Sequence, residues 1–339
     1  MQIYGSAQAA LEVPAHELQT IPGFGPKIIE AWKQGLHSSA WEEDLIHVER
    51  EKVQLIPFTH ADYPKRLLEL SDYPLILYVK GSLQKEDQRG ISVIGTRQAT
   101  YYGLEMAKIF SRDLASAGWS IVSGLARGID TAAHQGALEK GRTLAVLGSG
   151  LSVIYPRENE RLAQMIAQQG AVISEFPMRT PPDRSHFPQR NRIVSGLSQA
   201  LLLIEAPHKS GAMLTVSKAL QQDRVVFALP GRVDQENFKG NHALIKERKA
   251  QLVEQAQDIL NVIDPQAFTF NFQKVSALQI ILDKEEEQLM QLLPAGEELS
   301  IEQIVNRLQW PVAQLNVLLI SLVLKKAIKE YPGKIYKKV

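Results

Sequence analysis

Between about residues 56 and 265, short continuous runs of aliphatic residues alternate with longer stretches in which apolar side chains recur every three or four positions. The runs are Ile91–Ile94, Ser120–Val122, Thr143–Leu147, Ala171–Ser174, Leu201–Ile204 and Val225–Leu229; the longer stretches include Leu104–Ala117, Glu158–Gln169 and Ala212–Gln221. Strand, helix and strand at this spacing predict βαβ units and an α/β fold with a mostly parallel, doubly wound sheet. Because the runs do not alternate with polar residues, both faces of the sheet are expected to be covered. Tyr63–Gly81 is expected to pack on the sheet edge. Residues 1–55 read as helical, around the punctuation Ile21-Pro22-Gly23-Phe24-Gly25-Pro26-Lys27. A polar stretch, Asp264–Lys274, reads as a linker, and residues 275–339 read as a small helix-rich unit. The expected division is therefore 1–55, 56–265 and 275–339.

Composition narrows the possible chemistry. A chain of 339 residues has room for two or three domains at about 100–200 residues each. With 45% hydrophobic and 22% charged residues it has the make-up of a globular protein rather than a disordered or coiled-coil one. The absence of cysteine removes disulfide frameworks, thiolate metal sites and cysteine nucleophiles, and fits a cytoplasmic location. No basic segment followed by an apolar one opens the chain, so no signal peptide is expected. The apolar stretch Leu315–Leu324 is interrupted by Asn316 and Ser321 and is too short to span a bilayer, so no membrane partner is expected. Net charge is +1, from 38 basic against 37 acidic side chains, so a polyanion would have to be held by local patches.

In an open parallel sheet, ligands sit beyond the carboxyl ends of the strands. Ile94 is followed there by Gly95-Thr96-Arg97, Val122 by Ser123-Gly124-Leu125-Ala126-Arg127-Gly128, and Ile204 by Glu205, with Ser210-Gly211 a few residues on. Small residues, hydroxyls and arginines at one sheet edge make a rim suited to phosphate. The dinucleotide fingerprint fails, since Val153 stands where the third glycine of Gly148-Ser149-Gly150 belongs. The phosphate-loop pattern fails as well: Gly136–Thr143 carries Arg142 in place of lysine and precedes a strand. No metal-ligand spacing, nucleophile elbow or cofactor motif is present, and no cofactor is expected. Asp130 and His134 share a helix face, where the expected roles are a helix cap and a packed core histidine. Glu175 and Glu205 each end a strand, which leaves a carboxylate pair open.

The densest local signal is Met178–Arg192, where Arg179, Arg184, Arg190 and Arg192 face only Asp183, and His186 and Phe187 are interleaved. Its prolines predict an ordered loop. Arginines for phosphates and rings for unpaired bases are what single-stranded nucleic acid requires. Equally open is a structural reading in which Phe187 plugs the core and Arg190 and Arg192 make internal ion pairs.

Gly95-Thr96-Arg97, Tyr102-Gly103, Ser123–Asp130 with His134, Gly148–Pro156 and Ser174-Glu175 form an ordered series. It continues through Phe187–Ile193 with Ser195-Gly196-Leu197, Glu205, Ser210-Gly211, Thr215, Pro230-Gly231, Gly240-Asn241 and Leu244-Ile245. In this order and spacing the central segment resembles the DprA/Smf family, DNA-processing protein A. The resemblance implies a Rossmann-like core that binds single-stranded DNA without catalysis. It also implies protection of incoming DNA during natural transformation and recombination, loading of the RecA recombinase, and a homodimer. Carried over by position, it puts the pocket arginine of a strand-end Gly-Ser-Arg on Arg97, a basic residue three before the Phe-Pro pair on Arg184 and the base-contacting Phe on Phe187; Arg190, Asn191 and Arg192 belong to the same motif. Thr96 replaces the usual serine, and Lys246-Glu247-Arg248-Lys249-Ala250 replaces a Gly-Ala turn, which puts that turn in doubt.

At the N-terminus, Ile21–Ile29 has the helix-hairpin-helix form, whose glycines allow a tight turn and leave a helix start, with Lys27, open to a DNA phosphate. The C-terminal segment reads as three helices, Glu285–Leu293, Ser300–Leu308 and Val312–Lys326, followed by a hairpin over Ile328–Tyr336 turning at Pro332-Gly333, a winged-helix pattern. Ser300 and Gln303 supply a capping box. The third helix lacks a basic residue in its first turns, so a protein contact or weak duplex-DNA contact is expected there rather than sequence reading. The site reading is then phosphates across Gly95–Arg97, Ser123–Arg127 and Ser210–Gly211, with a base on Phe187. The alternative is a nucleotide phosphoribohydrolase on a related sheet. Those enzymes place a Gly-rich, glutamate-bearing stretch after a Pro-Gly pair, where this chain has Arg232-Val233-Asp234-Gln235-Glu236.

Overall fold

The structure, a computed structural model, describes residues 3–264, 282–293, 298–325, 327–331 and 333–338. It divides into two compact units, 1–267 and 268–339. Residues 265–274 of the expected linker and Pro332 of the expected hairpin turn lie outside the described residues.

In the first unit, the apolar runs become strands β3 (Gly90–Ile94), β4 (Ser120–Ser123), β5 (Thr143–Val146), β6 (Ala171–Ser174), β7 (Ala200–Leu203) and β8 (Val225–Ala228), every one of them buried at all or nearly all positions. Strands β1 (Gln54–Pro57), β2 (Ile76–Gly81) and β9 (Gln251–Leu252) complete a nine-stranded sheet in the order β1-β2-β6-β5-β4-β3-β7-β8-β9. From β6 across to β9 all pairings are parallel, while β1–β2 and β2–β6 are antiparallel. The Tyr63–Gly81 segment thus does more than pack on the edge: its second half is hydrogen-bonded into the sheet.

Successive strand residues go to opposite cores. Leu144, Val146, Leu201 and Leu203 face one layer, while Ile91, Val93, Ile121 and Leu202 face the other. Helices α5 (Tyr101–Ser116), α6 (Ile129–Leu138) and α11 (Ala256–Ile263) cover the second layer, and α8 (His186–Gly196) and α9 (Gly211–Gln221) the first. Each fully buried Leu, Ile or Phe contributes about 1.5–3 kcal/mol relative to exposure. Helices α7 (Glu160–Gln169) and α10 (Lys239–Lys246) fill the remaining crossovers. After α10, Arg248 takes the left-handed conformation, φ 55°, that a glycine adopts freely. The turn is therefore formed with an arginine in place.

Helix α8 corrects an expectation. The Pro-rich segment 178–192 was expected to be a loop throughout, yet from His186 it is helical. Pro188 sits in the first turn, where its missing N–H has no intrahelical acceptor to lose, so the proline is tolerated.

The N-terminal helices are α1 (Ala7–Leu11), α2 (Ala15–Leu18), α3 (Pro26–Leu36) and α4 (Ala40–Arg50). Gly23 has φ 97°, Gly25 is the N-cap of α3 and Pro26 its first residue, giving the turn that the Pro-Gly-Phe-Gly-Pro spacing predicts. Helix α4 is built into the α/β unit: Asp44 accepts from the Tyr78 hydroxyl at 2.6 Å and the Met178 amide at 2.7 Å, and Val48 enters the core.

The second unit contains α12 (Lys284–Leu292), β10 (Glu298–Ser300), α13 (Ile301–Leu308), α14 (Val312–Leu324), β11 (Ile328–Tyr331) and β12 (Ile335–Lys338). Its strands form a three-stranded sheet ordered β10-β12-β11 against a core that includes Leu289, Ile304, Leu315, Leu319 and Tyr336. The Ser300–Gln303 capping box is formed. This is a winged-helix arrangement, and α14 carries no charged residue between 312 and 324. Among the described residues no single helix is long and apolar enough to cross a membrane.

Candidate nucleic-acid interface

The order of the strands decides where a ligand can enter. From β3 the chain runs outward through β4, β5 and β6 on one side and through β7, β8 and β9 on the other. The loops leaving β3 and β7 diverge, and such a switch point opens a crevice at the carboxyl ends of the strands. A cleft of about 690 Å³ lies there.

Its walls come from separate elements. Gly95, Thr96 and exposed Arg97 follow β3; Gly124 and Ala126 follow β4. Arg184 stands exposed before α8, and Phe187, Arg190, Asn191 and Val194 form one face of that helix at the i, i+3, i+4, i+7 spacing. Ser210 and Gly211 open α9, whose first N–H groups have no intrahelical partners. Ser210 itself makes no side-chain cap bond, and its buried hydroxyl has no hydrogen-bond partner among the described residues. The Arg97 guanidinium lies over the Phe187 ring, 5.1 Å from its centroid. Tyr155 also lines the cleft, 6.0 Å from the same ring and 41% exposed. Two rings and two exposed arginines therefore share one concave surface.

Behind this surface the residues are structural. Arg190 is only 4% exposed and donates from Nη1 to the Val146 carbonyl at 2.6 Å. A methyl group built on Gly124 would overlap that guanidinium, so a larger residue here would displace Arg190. Burial pushes the Arg190 pKa down to about 10, against the pull of Asp130, so it stays charged at neutral pH. Asp130 accepts from the amides of Gly124 at 3.1 Å and Ala126 at 3.4 Å. Its carboxyl is shifted upward by burial, opposed by Arg190. It thus props the β4 loop rather than capping α6, whose N-cap is Gly128.

His134 is fully buried, and burial pushes it down to about 3, so it is neutral. Thr143 donates its hydroxyl to the Ile121 carbonyl, which makes His134 Nδ1, 2.6 Å away, the donor to Thr143 Oγ1. The stability linked to this residue is complete above pH 6.5 and is lost as pH falls toward about 3, because only the unfolded chain takes up the proton. Its share of the loss is about 1.4 kcal/mol per pH unit in that window. His134→Asn, which keeps an N–H toward Thr143, flattens this slope; urea denaturation at pH 7 and pH 5 on both proteins reads the difference.

Of the other expected residues, Ser123, Arg192 and Lys27 do not line the cleft, and Arg127 stands only at its edge. Ser123 is fully buried, with its hydroxyl donated to the Val93 carbonyl at 2.7 Å. Arg192 points from the back of α8, paired with Glu175 and, at 3.2 Å, with Asp72. Arg127 stands at a recess of the cleft mouth, forked onto Glu158. Lys27 is exposed in the first turn of α3 and does not line the cleft. Glu175 and Glu205 do not form a carboxylate pair. Glu205 instead holds the start of α5 by accepting from Thr100, and its carboxylate lies where a side chain on Gly103 would go. In the sequence, Tyr155 stands out only within the Gly148–Pro156 motif; its signal is an aromatic residue in a loop beyond a buried strand.

Residues 54–264 match the family model for DNA recombination-mediator protein A, and residues 275–334 match the DprA winged helix domain. The chain belongs to the DNA recombination-mediator protein A (DprA) family. Protein Smf of Escherichia coli K12 is 38% identical over 301 residues, covering 86% of this chain and 79% of that protein. DNA processing protein DprA of Bacillus subtilis is 38% identical over 209 residues, covering 61% of this chain and 70% of the relative. Among solved structures, DprA from Streptococcus pneumoniae aligns with a TM-score of 0.63 at 34% identity, covering 74% of this chain and 87% of that one. DprA from Helicobacter pylori, described by its single-stranded DNA binding mode, aligns with a TM-score of 0.55 at 32% identity, covering 61% of this chain and 94% of that one.

Proposed function

We propose that this DprA-family chain binds single-stranded DNA in the switch-point cleft without making or breaking a bond. In this reading it protects the strand and passes it to a RecA-type recombinase, acting as a homodimer. The observation that carries the DNA contact is the exposed Arg97 guanidinium converging on the Phe187 ring at the carboxyl edge of the sheet, 5.1 Å apart. A backbone phosphate on Arg97 and Arg184 and an unpaired base against the Phe187 and Tyr155 rings use the two chemistries that hold single strands. Gly95, Thr96, Gly124, Asn191, Ser210 and Gly211 shape the rest of the groove in this assignment, with α9 offering its N-terminal amides to a second phosphate. Arg190 acts beneath the strand, and Ser123 and Arg192 are dropped as direct contacts. The 56–265 segment does the gripping; segments 1–55, with Lys27, and 275–339 are accessory and available to duplex DNA or a protein partner.

The test is a mobility-shift comparison of single- and double-stranded oligonucleotides at rising salt, using the full chain. Single strands are expected to bind more tightly, with affinity falling steeply as salt rises. The same preparation incubated with nucleoside monophosphates is expected to release no free base. Equal affinity for duplex DNA, or released base, would overturn the reading in favour of a duplex binder or a phosphoribohydrolase.

A further inference from the structure

Arg127, at the edge of the cleft, is not free. Its Nε and Nη2 atoms donate to the two carboxylate oxygens of Glu158 at 2.5 and 2.8 Å, and both side chains are more than half exposed. Arg127 lines the recess that also contains Arg97, Tyr155 and Phe187. Glu158 lies in the single-turn helix Arg157–Asn159, which is anchored next to it: the Asn159 side-chain Nδ2 donates to the Leu125 carbonyl and the Thr131 hydroxyl, both at 2.8 Å. Leu125 belongs to the same loop as Arg127, so the acid and its partner are tied to one piece of backbone.

A carboxylate and a phosphate present the same pair of oxygens to a guanidinium fork. An arginine already forked onto an internal carboxylate adds no net charge to the pull on a polyanion. We propose that Glu158 is a resident counter-ion that occupies Arg127 in the free protein and yields its place to a backbone phosphate of bound single-stranded DNA. This rests on the single-strand reading above and assigns Glu158 the role of setting grip strength and release. Exposed ion pairs in water are weak, so the exchange is reversible. The hydrogen bond to Arg127 shifts the Glu158 carboxyl downward, so it stays ionised and protonation is not what frees the arginine.

The experiment titrates fluorescent single-stranded oligonucleotide with wild type, Glu158→Gln, Arg127→Ala and the double variant over a range of salt. Glu158→Gln is expected to bind roughly threefold to fivefold tighter at low salt. Its log–log salt slope is expected to match wild type, because Arg127 meets the same phosphate in both complexes, while Arg127→Ala flattens the slope by about 0.7, the increment for one phosphate contact on a single strand. The double variant is expected to match Arg127→Ala. If wild type binds and Glu158→Gln is unchanged or weaker, the counter-ion role is overturned. Wild type that does not bind single strands overturns the underlying function instead. Thermal melting of all four, expected to coincide, separates either outcome from misfolding.

Discussion

Arg97→Ala combined with Arg184→Ala is expected to weaken single-stranded DNA binding by at least about 100-fold while leaving the folded state intact. Each charged hydrogen bond to phosphate is worth about 1.5–3 kcal/mol, and Arg97 additionally covers the Phe187 ring. The salt slope should flatten by about 1.4, from two lost contacts at about 0.7 each. Both side chains are exposed, so no buried partner is orphaned and the melting temperature should hold. The loss should be similar for oligonucleotides of different sequence, because phosphate contacts carry no base information. Fluorescence anisotropy at several salt concentrations checks all of this. Normal binding by the double variant at physiological salt would remove the cleft from consideration.

Arg190→Ala should behave in the opposite way. This guanidinium comes from the same run of arginines, yet it is buried against Gly124, bonded to the Val146 carbonyl and set to compensate Asp130. Removing it strands a buried carboxylate and a carbonyl and leaves a void under the β4 loop. Losing one partner from such a buried arrangement costs about 3–5 kcal/mol. Urea denaturation should show that loss directly, and DNA binding should fall only as a consequence of the displaced loop and α8. A variant with unchanged stability and weakened binding would make Arg190 a direct contact after all. Together the two experiments divide one arginine-rich motif into a surface that meets ligand and a support that does not.

The architecture was legible for a local reason. Strands covered on both faces are continuously apolar, so Ile91–Ile94 and Leu201–Ile204 announce themselves without any knowledge of their neighbours, and the structure shifts their limits by only a residue or so. The edge strand β1 has only four residues with a single buried position, and β9 is only two residues long. Neither leaves a periodic signal. The Ile21–Lys27 turn was readable because glycine and proline report backbone conformation directly.

The sequence puts Gly95 and Arg97 just beyond a strand and marks them, with the Arg184–Arg192 cluster, as suited to phosphate and bases. It does not separate Arg190 from Arg192, or either from Arg184. That separation depends on the rotation of α8, a helix disguised by Pro188, which turns positions 187, 190, 191 and 194 toward the cleft and position 192 toward Glu175. Nor does it show that Glu158, thirty-one positions from Arg127, meets its guanidinium. Propensity and periodicity are properties of neighbouring residues. Which charges meet, and which are left facing water, depends on how distant segments pack, and that information exists only once the chain has folded.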